Sequence, residues 1–308
     1  MTEREDGRDA RMTARTLRSL LVPVDLPVSD RVVGRAASLP VARDGKVTLL
    51  HVVPSSLPVR ARRQVQRDAQ AALAGAIRAS KGFPDDVSVE HIVMFGSAAA
   101  KIAACAARVK ADLIVMGRGA GRPLRDSFLG STAERVVRQG RKPTLVVRLP
   151  ARGRYRVPTL GLDVDDAAVA AVATLIDVVP PPLPPVTIVH AYDPPYFGLA
   201  YSGLSDDDVE DKGLPYRRRA ETQLARIVAR ALAARAGMAD DVPRFKTIVR
   251  YGSAREVIKA AAKKLGTDLL VLGTRAHAGV AHAFLGTVAG DILRDVPCDV
   301  LVVPPRGR

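Results

Sequence analysis

Asp112-Leu-Ile-Val-Met-Gly117 and Asp268-Leu-Leu-Val-Leu-Gly273 are one hexad written twice. The chain around them repeats as well. Phe128-Leu-Gly-Ser131 returns as Phe284-Leu-Gly-Thr287, Gly96-Ser-Ala98 as Gly252-Ser-Ala254, and Leu145-Val-Val147 as Leu301-Val-Val303. The offset is constant, since 268 − 112, 284 − 128, 252 − 96 and 301 − 145 all equal 156. A fixed period across separate segments is the mark of an internal duplication. Nearer the amino terminus Val47-Thr-Leu-Leu-His51 matches Val186-Thr-Ile-Val-His190 at an offset of 190 − 51 = 139. The second half therefore carries 156 − 139 = 17 extra residues, which fall around Asp193 to Pro215 and include Tyr196, Phe197, Tyr201 and the acidic run Asp206 to Asp211. This insertion reads as a surface loop, with a lid or partner contact as the functional alternative.

Within each half short apolar runs alternate with helical patterns. Ser19–Val24, Val47–Val53, Val87–Met94, Leu113–Met116 and Thr144–Arg148 read as strands buried on both faces. Between them, Ile102, Cys105, Ala106 and Val109 fall at helical spacing, and Ser253 with Glu256 reads as a capping box opening the matching helix of the second half. Strand–helix alternation predicts βαβ units with right-handed crossovers and a parallel sheet. The fold class expected is α/β, with two tandem doubly wound parallel-sheet domains of Rossmann-like type forming a pseudo-dimer. The last strands, Thr144–Arg148 and Val300–Val303, are the apolar edges expected to pair, because an exposed apolar edge invites association. The boundaries expected are an unfolded tail over 1–16, a first domain over 17–148, a linker over 149–157 and a second domain over 158–304.

Composition narrows the class of function. The 308 residues are 47% hydrophobic but only 4% aromatic, which suits a core of Val, Leu, Ile and Ala. No apolar run reaches the ~18 residues of a bilayer span, and Met1 to Arg15 is charged rather than apolar, so a cytoplasmic protein with no membrane contact is expected. Cys105 and Cys298 stand apart, without metal-ligand spacing, and read as small core residues. The formal charge of +15 raises nucleic acid as a partner. The basic residues are dispersed, however, Trp is absent and no aromatic residues interleave with them. The denser clusters, Arg60 to Arg67 and Arg217 to Arg219, sit at the starts of expected helices, so solvated helix faces are favoured over nucleic acid.

The chemistry-bearing segment follows the fourth strand: Gly117-Arg-Gly-Ala-Gly-Arg-Pro-Leu-Arg-Asp-Ser-Phe-Leu-Gly130-Ser131-Thr132. A glycine ending a strand lets backbone pass close to a ligand. Gly130-Ser131 then opens a helix whose free N–H groups suit phosphate, on the sheet's carboxyl side where open α/β folds bind ligands. Ser131 with Glu134 is equally a capping box that needs no ligand. Asp25 and Asp163, each just after a first strand, can take a ligand or simply begin a turn or cap a helix. His51 and His190 read as strand-end histidines, and His277 with His282 is too widely spaced for one metal-binding face.

A glycine, two residues, a small residue, nine residues and then Gly-Ser/Thr resembles the ATP-binding motif of the universal stress protein family. Each half also ends its first strand in Asp (Asp25, Asp163) and its second in Leu-Leu-His51-Val or Ile-Val-His190-Ala. The resemblance covers 17–148 and 158–304. It implies a five-stranded parallel fold in each half, last strands that pair between domains, and adenine nucleotide, ATP in particular, as ligand. By position it implies that Pro23, Asp25 and Val52 line the adenine and ribose end, while Met116, Gly117, Gly119, Gly130, Ser131 and Thr132 cradle phosphates. In the second half the same places hold Gly161, Asp163, Ala191, Leu272, Gly273, Arg275, Gly286, Thr287 and Val288. Both halves depart from the motif at its second glycine, which is Ala120 in one and Ala276 in the other.

The function this implies is that of a nucleotide-binding stress-response or regulatory protein without a dedicated reaction. Related adenine-nucleotide hydrolases carry a Ser-Gly-Gly-x-Asp-Ser loop after the first strand, where this chain has Pro23-Val-Asp-Leu-Pro and Gly161-Leu-Asp-Val-Asp. A weak ATP hydrolase and an interaction scaffold with degenerate sites stay open, as does further self-association into a homodimer.

Overall fold

The computed structural model describes residues 17–79, 82–119, 131–139, 141–192, 206–234, 243–274 and 287–305. The first half runs β1 (Leu17–Pro23), α1 (Asp30–Ala37), β2 (Val41–Val53), α2 (Val59–Ala79), β3 (Ser88–Phe95), α3 (Ala98–Arg108), β4 (Leu113–Gly117), α4 (Ser131–Gln139) and β5 (Thr144–Val147). The second repeats the order as β6 (Pro158–Gly161), α5 (Asp166–Val178), β7 (Val186–Tyr192), α6 (Asp206–Ala233), β8 (Phe245–Tyr251), α7 (Ala254–Leu265), β9 (Leu269–Gly273), α8 (Thr287–Asp295) and β10 (Asp299–Val303). Strands such as Leu113–Gly117 and Asp299–Val303 are buried along nearly their whole length. Apolar runs of that kind form parallel sheets covered on both faces.

The ten strands among the described residues form one sheet in the order β3-β2-β1-β4-β5-β10-β9-β6-β7-β8. Neighbours within each half are parallel, and β5 meets β10 antiparallel with Leu145 opposite Leu301 and Val146 opposite Val300. The apolar side chains of these short strands are thus removed from water at the centre of the sheet. Helices cover both faces. Leu73 of α2, most of α5 and Leu224 of α6 pack on one face, against a core that also holds Leu20, Leu113, Leu160 and Leu301. Ile102 and Cys105 of α3, Val136 of α4, Ile258 of α7 and Ile292 of α8 pack on the other. Each core layer contains residues of both halves, so burial is continuous across the seam.

A polar cluster closes the seam. Asp299 is fully buried, and its carboxylate accepts from the backbone N–H of Arg148 at 2.7 Å and Leu149 at 2.8 Å, and from the Tyr155 hydroxyl at 2.7 Å. Arg35 of α1 places Nε 3.2 Å from the same carboxylate, as an ion pair without hydrogen-bond alignment. Its guanidinium also lies over the Tyr155 ring at 4.1 Å and donates to the Gly153 carbonyl at 2.8 Å. A buried charge is tolerated where pairing and hydrogen bonds compensate it. Elements from the first half, the linker and β10 meet at this one carboxylate.

Several expectations need correction. Strand β2 begins at Val41, six residues before the expected Val47. Val41 pairs with Leu17 ahead of an irregular register in which Asp44 takes a left-handed φ of 58°. The insertion around Asp193–Pro215 is not a loop throughout, because helix α6 begins at Asp206 and contains Pro215. An acidic run suits the positive end of a helix dipole, which favours initiation there. Arg217 to Arg219 consequently lie inside α6 rather than at its start. Ser253 is the N-cap of α7 but makes no side-chain cap bond, so the capping box is not formed; Glu256 instead faces Arg255 and Lys259. The tail over 1–16, His277 and His282 lie outside the described residues.

Candidate functional site

Parallel strands within each half point their carboxyl ends to one side, and side chains alternate between faces along each strand. On β1 and β4, Leu21 is paired with Ile114, so Pro23 and Met116, two residues further, share a face. Pro23 is also in register with Leu50 of β2, and Val52 again lies two residues on. Met116 belongs to the core layer under α3 and α4, and Val52 packs against that layer. The register therefore gathers Pro23, Val52 and Met116 on the α3–α4 face, at the carboxyl ends of adjacent strands. Asp25 follows, exposed, in the turn after β1. In the second half Gly161 is in register with Leu272 and with Val189, which places Ala191 on the equivalent face.

The turns that carry the two aspartates are held the same way in both halves. The Val24 N–H donates to the Leu50 carbonyl at 2.9 Å and His51 Nδ1 lies 2.9 Å from the Val24 carbonyl. Leu162 and His190 repeat this with Val189 and Leu162 at 3.0 and 2.8 Å. The histidines are thus strand-end clamps that shape the turn leading to Asp25 and Asp163. Neither aspartate caps the following helix. Ser29 occupies the N-cap of α1, and Asp165 caps α5 by accepting from the Ala168 N–H at 3.1 Å. Asp163 Oδ1 accepts from the adjacent Val164 N–H at 2.8 Å.

The segment after β4 differs from its counterpart after β9. Gly119 has a φ of 90°, in the region open chiefly to glycine, whereas the second half has Arg275 at that place. Arg118 is exposed beside Gly117, while its counterpart Thr274 is buried and turned inward, its N–H donating to the Val303 carbonyl at 3.0 Å. Arg148, at the end of β5, lies close enough to Arg118 to matter electrostatically: burial, and then the Arg118 charge, lower its pKa from the usual guanidinium value. Helix α4 begins at Ser131, with Thr132 half-buried in its first turn, and α8 begins at Thr287, with Val288 exposed. Gly161 lies beneath Ile258 and Leu272, whose methyl groups would each meet an added Cβ at 2.9 Å, so the floor of the second site is filled by its neighbours. Gly130, Arg275, Gly286, Ala120 and Ala276 lie outside the described residues, and of Ser131 and Thr287 only the backbone is described. Among the described residues no group of three His, Cys, Asp or Glu side chains is placed to hold a metal ion.

Two functions were not visible in the sequence. The repeated Asp112 and Asp268 sit at the amino ends of β4 and β9, away from the site. Asp112 accepts from the N–H groups of Arg18 and Ser19 at 2.8 and 2.9 Å, and Asp268 from those of Arg156 and Val157 at 2.6 and 3.0 Å. They anchor the first strand of each half. The seam residues Arg35, Arg148, Tyr155 and Asp299 were also missed. The one signal was Asp299 itself, a lone charge beside the apolar run Val300-Leu-Val-Val303.

Comparison with known proteins agrees with this duplicated architecture. A universal stress protein of Archaeoglobus fulgidus superposes with a TM-score of 0.63 at 16% identity, over 95% of this chain and all of that one, and so shares the fold. Universal stress protein E of Escherichia coli is 39% identical over 59 residues, 19% of each chain. Universal stress protein A homolog 2 of Coxiella burnetii is 27% identical over 111 residues, 36% of this chain and 67% of that protein. The match spans less than half the length of the Escherichia coli relative. The sequence profile of the Universal stress protein family matches residues 16–148 and again 159–304. With both halves matched nearly end to end, the chain belongs to the universal stress protein family, as a tandem two-domain member.

Proposed function

We propose that this chain is an adenine-nucleotide-binding regulatory protein of stress response, with ATP as its principal ligand, no dedicated reaction, and the first half as the stronger site. The units are the domains 17–148 and 158–304, joined through the linker 149–157. The observation that carries the reading is the arrangement after β4. A left-handed Gly119 and an exposed Arg118 stand beside the face that gathers Pro23, Val52 and Met116. Apolar side chains offer a surface for a base, and an exposed guanidinium offers one for phosphates. Asp25 stands exposed at the base-and-ribose end. In the second half Arg275 replaces the left-handed glycine, at a cost of about 1–2 kcal/mol if the backbone is kept. Thr274 is turned inward and supplies no charge.

A role without turnover is supported by the first-strand loops, which lack the Ser-Gly-Gly segment of the related hydrolases. Action in the cytoplasm is supported by two free, buried cysteines, as suits a reducing compartment. No helix among the described residues is long and apolar enough to cross a membrane. The test is mass spectrometry of small molecules released from the purified, denatured protein after exposure to millimolar ATP and desalting. Retained ATP, ADP or AMP is the expected result. Retention of no nucleotide would leave an interaction scaffold as the better account.

A further inference from the structure

The sheet ends at β3 on one side and at β8 on the other, so among the described residues each of these strands has one neighbour, β2 and β7 respectively. An edge strand presents unpaired N–H and C=O groups to any chain that can pair with them. Which residues present them follows from the ladder. In a strand the N–H and C=O of one residue point to the same side, and successive residues alternate. The Gly96 N–H donates to the Val53 carbonyl at 2.9 Å, and the register from Ser88 to Phe95 runs without a shift. Gly96 and the even-numbered residues of β3 therefore face β2. Val89, His91, Val93 and Phe95 face outward, with 4 × 2 = 8 backbone groups.

This edge carries little charge. Residues 89–95 are all half-buried, with Val89 and Val93 packed toward one core layer and Ile92 and Met94 toward the other. The one carboxylate of the strand, Glu90, is held by Lys46 at 2.7 Å and accepts from Thr48 at 2.9 Å. The opposite edge differs. Lys246 and Arg250 are exposed along β8. The Gly252 N–H donates to the Tyr192 carbonyl at 3.1 Å, so by the same alternation Phe245, Thr247, Val249 and Tyr251 face outward there. Pairing β8 with β8 of a second copy through all four would set Lys246 opposite Arg250 of that copy, and like charges directly opposite destabilise. One edge is guarded against a twin, and the other is not.

We propose that β3 is the surface on which a second copy of this chain adds, antiparallel and about a twofold axis normal to the sheet, to give a dimer with one continuous sheet. Such an axis pairs residues whose numbers have a constant sum. With 89 + 95 = 91 + 93 = 184, Val89 stands opposite Phe95 and His91 opposite Val93, and all eight outward groups of each copy are bonded. The neighbouring sums, 91 + 91 = 182 and 93 + 93 = 186, leave Phe95 or Val89 outside the pairing. The side chains favour the same register. Phe95 against Val89 is an aromatic–β-branched pair, and Glu90, already neutralised by Lys46, meets Met94. Ile92 falls on the axis opposite itself, as a non-hydrogen-bonded pair with Cα atoms about 4.5 Å apart. The exposed Arg60, Arg63 and Arg67 of α2 lie, by helical spacing, on the side of that helix away from its buried Leu73. The +15 charge of each copy thus opposes association at a distance, where salt screens it.

The test is sedimentation of the full chain over a concentration series, at physiological and at about 1 M salt. A reversible dimer, tighter at the higher salt, is the expected result. His91→Pro, at a position whose N–H makes no bond to β2, and His91→Lys should each weaken dimerisation about tenfold or more. An unchanged urea midpoint checks that the variants keep the fold, and His91→Lys carries the test if the proline does not. Ile92→Cys should form an intermolecular disulfide on oxidation with copper phenanthroline, since the Cα spacing lies within disulfide range. Val93→Cys, which faces His91 of the second copy, should not. The native Cys105 and Cys298 are buried, which leaves the readout to the introduced thiol. A monomer at every concentration overturns the proposal. So does a dimer that His91→Lys leaves intact or that Ile92→Cys cannot cross-link, because another surface then joins the copies. Growth beyond two copies overturns it as well, being the signature of β3 joined head to tail with β8.

Discussion

Replacing Asp299 by alanine removes the carboxylate on which four groups converge. Arg35 is left as a buried guanidinium at 4% exposure with its ion pair gone. Removing one partner of a buried pair costs about 3–5 kcal/mol. The Tyr155 hydroxyl, also buried, loses its acceptor at 2.7 Å, which adds about 1–3 kcal/mol. These losses share a site and do not add fully, so a total of about 4–6 kcal/mol is expected, a large part of a total stability of about 5–15 kcal/mol. Asp299→Asn keeps an oxygen for the Arg148 and Leu149 amides but surrenders the charge, and should lose about 2–4 kcal/mol. Arg35→Met combined with Asp299→Asn should recover at least half of that loss, because the orphaned charge goes with its partner. The assay is urea unfolding followed by circular dichroism and by tyrosine emission, which the absence of Trp leaves uncontaminated. A cost below about 1 kcal/mol for Asp299→Ala would show that the cluster does not lock the seam.

Gly161→Ala should destabilise by about 1–3 kcal/mol through overpacking, since its Cβ would meet Ile258 and Leu272 at 2.9 Å; a neutral effect in urea would show that those side chains yield freely. Burial pushes the Cys298 thiol up to about 12 and also raises Cys105, so neither should react with a disulfide reagent at pH 8 until the chain unfolds; rapid labelling of the native protein would contradict the core assignment. Glu134 is held below its ordinary value of 4.5 by the Arg138 hydrogen bond, against partial burial and with help from Arg294, and Asp295 below 3.8 by Arg255 and Lys259. Their contribution is present above those ordinary values and is lost as pH falls through the lowered ones, so the thermal midpoint should drop below about pH 4, and Arg294→Gln should shrink the drop. Burial, then the Asp299 charge, raises Tyr155 well above 10.0; the folded state keeps that proton while the unfolded chain releases it, so stability should fall above about pH 10, and Tyr155→Phe should remove that component.

The fold was legible because its signals are local and repeated. The hexad at Asp112 and Asp268 fixed the period, and continuous apolar runs such as Leu145-Val-Val147 fixed strands buried on both faces. Strand β2 was misjudged at its start because Asp44 and Gly45 look like a turn, and only the pairing of Val41 with Leu17 extends the strand across them. The helical part of the insertion was hidden by Pro215, which a helix tolerates here against its local preference. The site was legible to the extent that it lies along one strand: Met116 and Gly117 follow from spacing. The grouping of Pro23 and Val52 with them depends on register between strands. At the seam the pairing of the last strands was legible as two apolar edges, but the polar cluster was not, since Arg35, Arg148, Tyr155 and Asp299 are separated by up to 264 positions (299 − 35) and lack a shared motif.

Whether the first half holds the stronger nucleotide site is decided by calorimetric titration of ATP into wild type, Gly130→Asp and Gly286→Asp. An aspartate at either position sets a carboxylate against the incoming phosphates, where like charges repel at short range. Wild type should show binding that Gly130→Asp reduces to the weaker component or abolishes, while Gly286→Asp retains the tighter one. Loss of the tighter component in Gly286→Asp alone would reverse the halves. A wild type that gives no heat at millimolar ATP would mean that neither half binds the nucleotide.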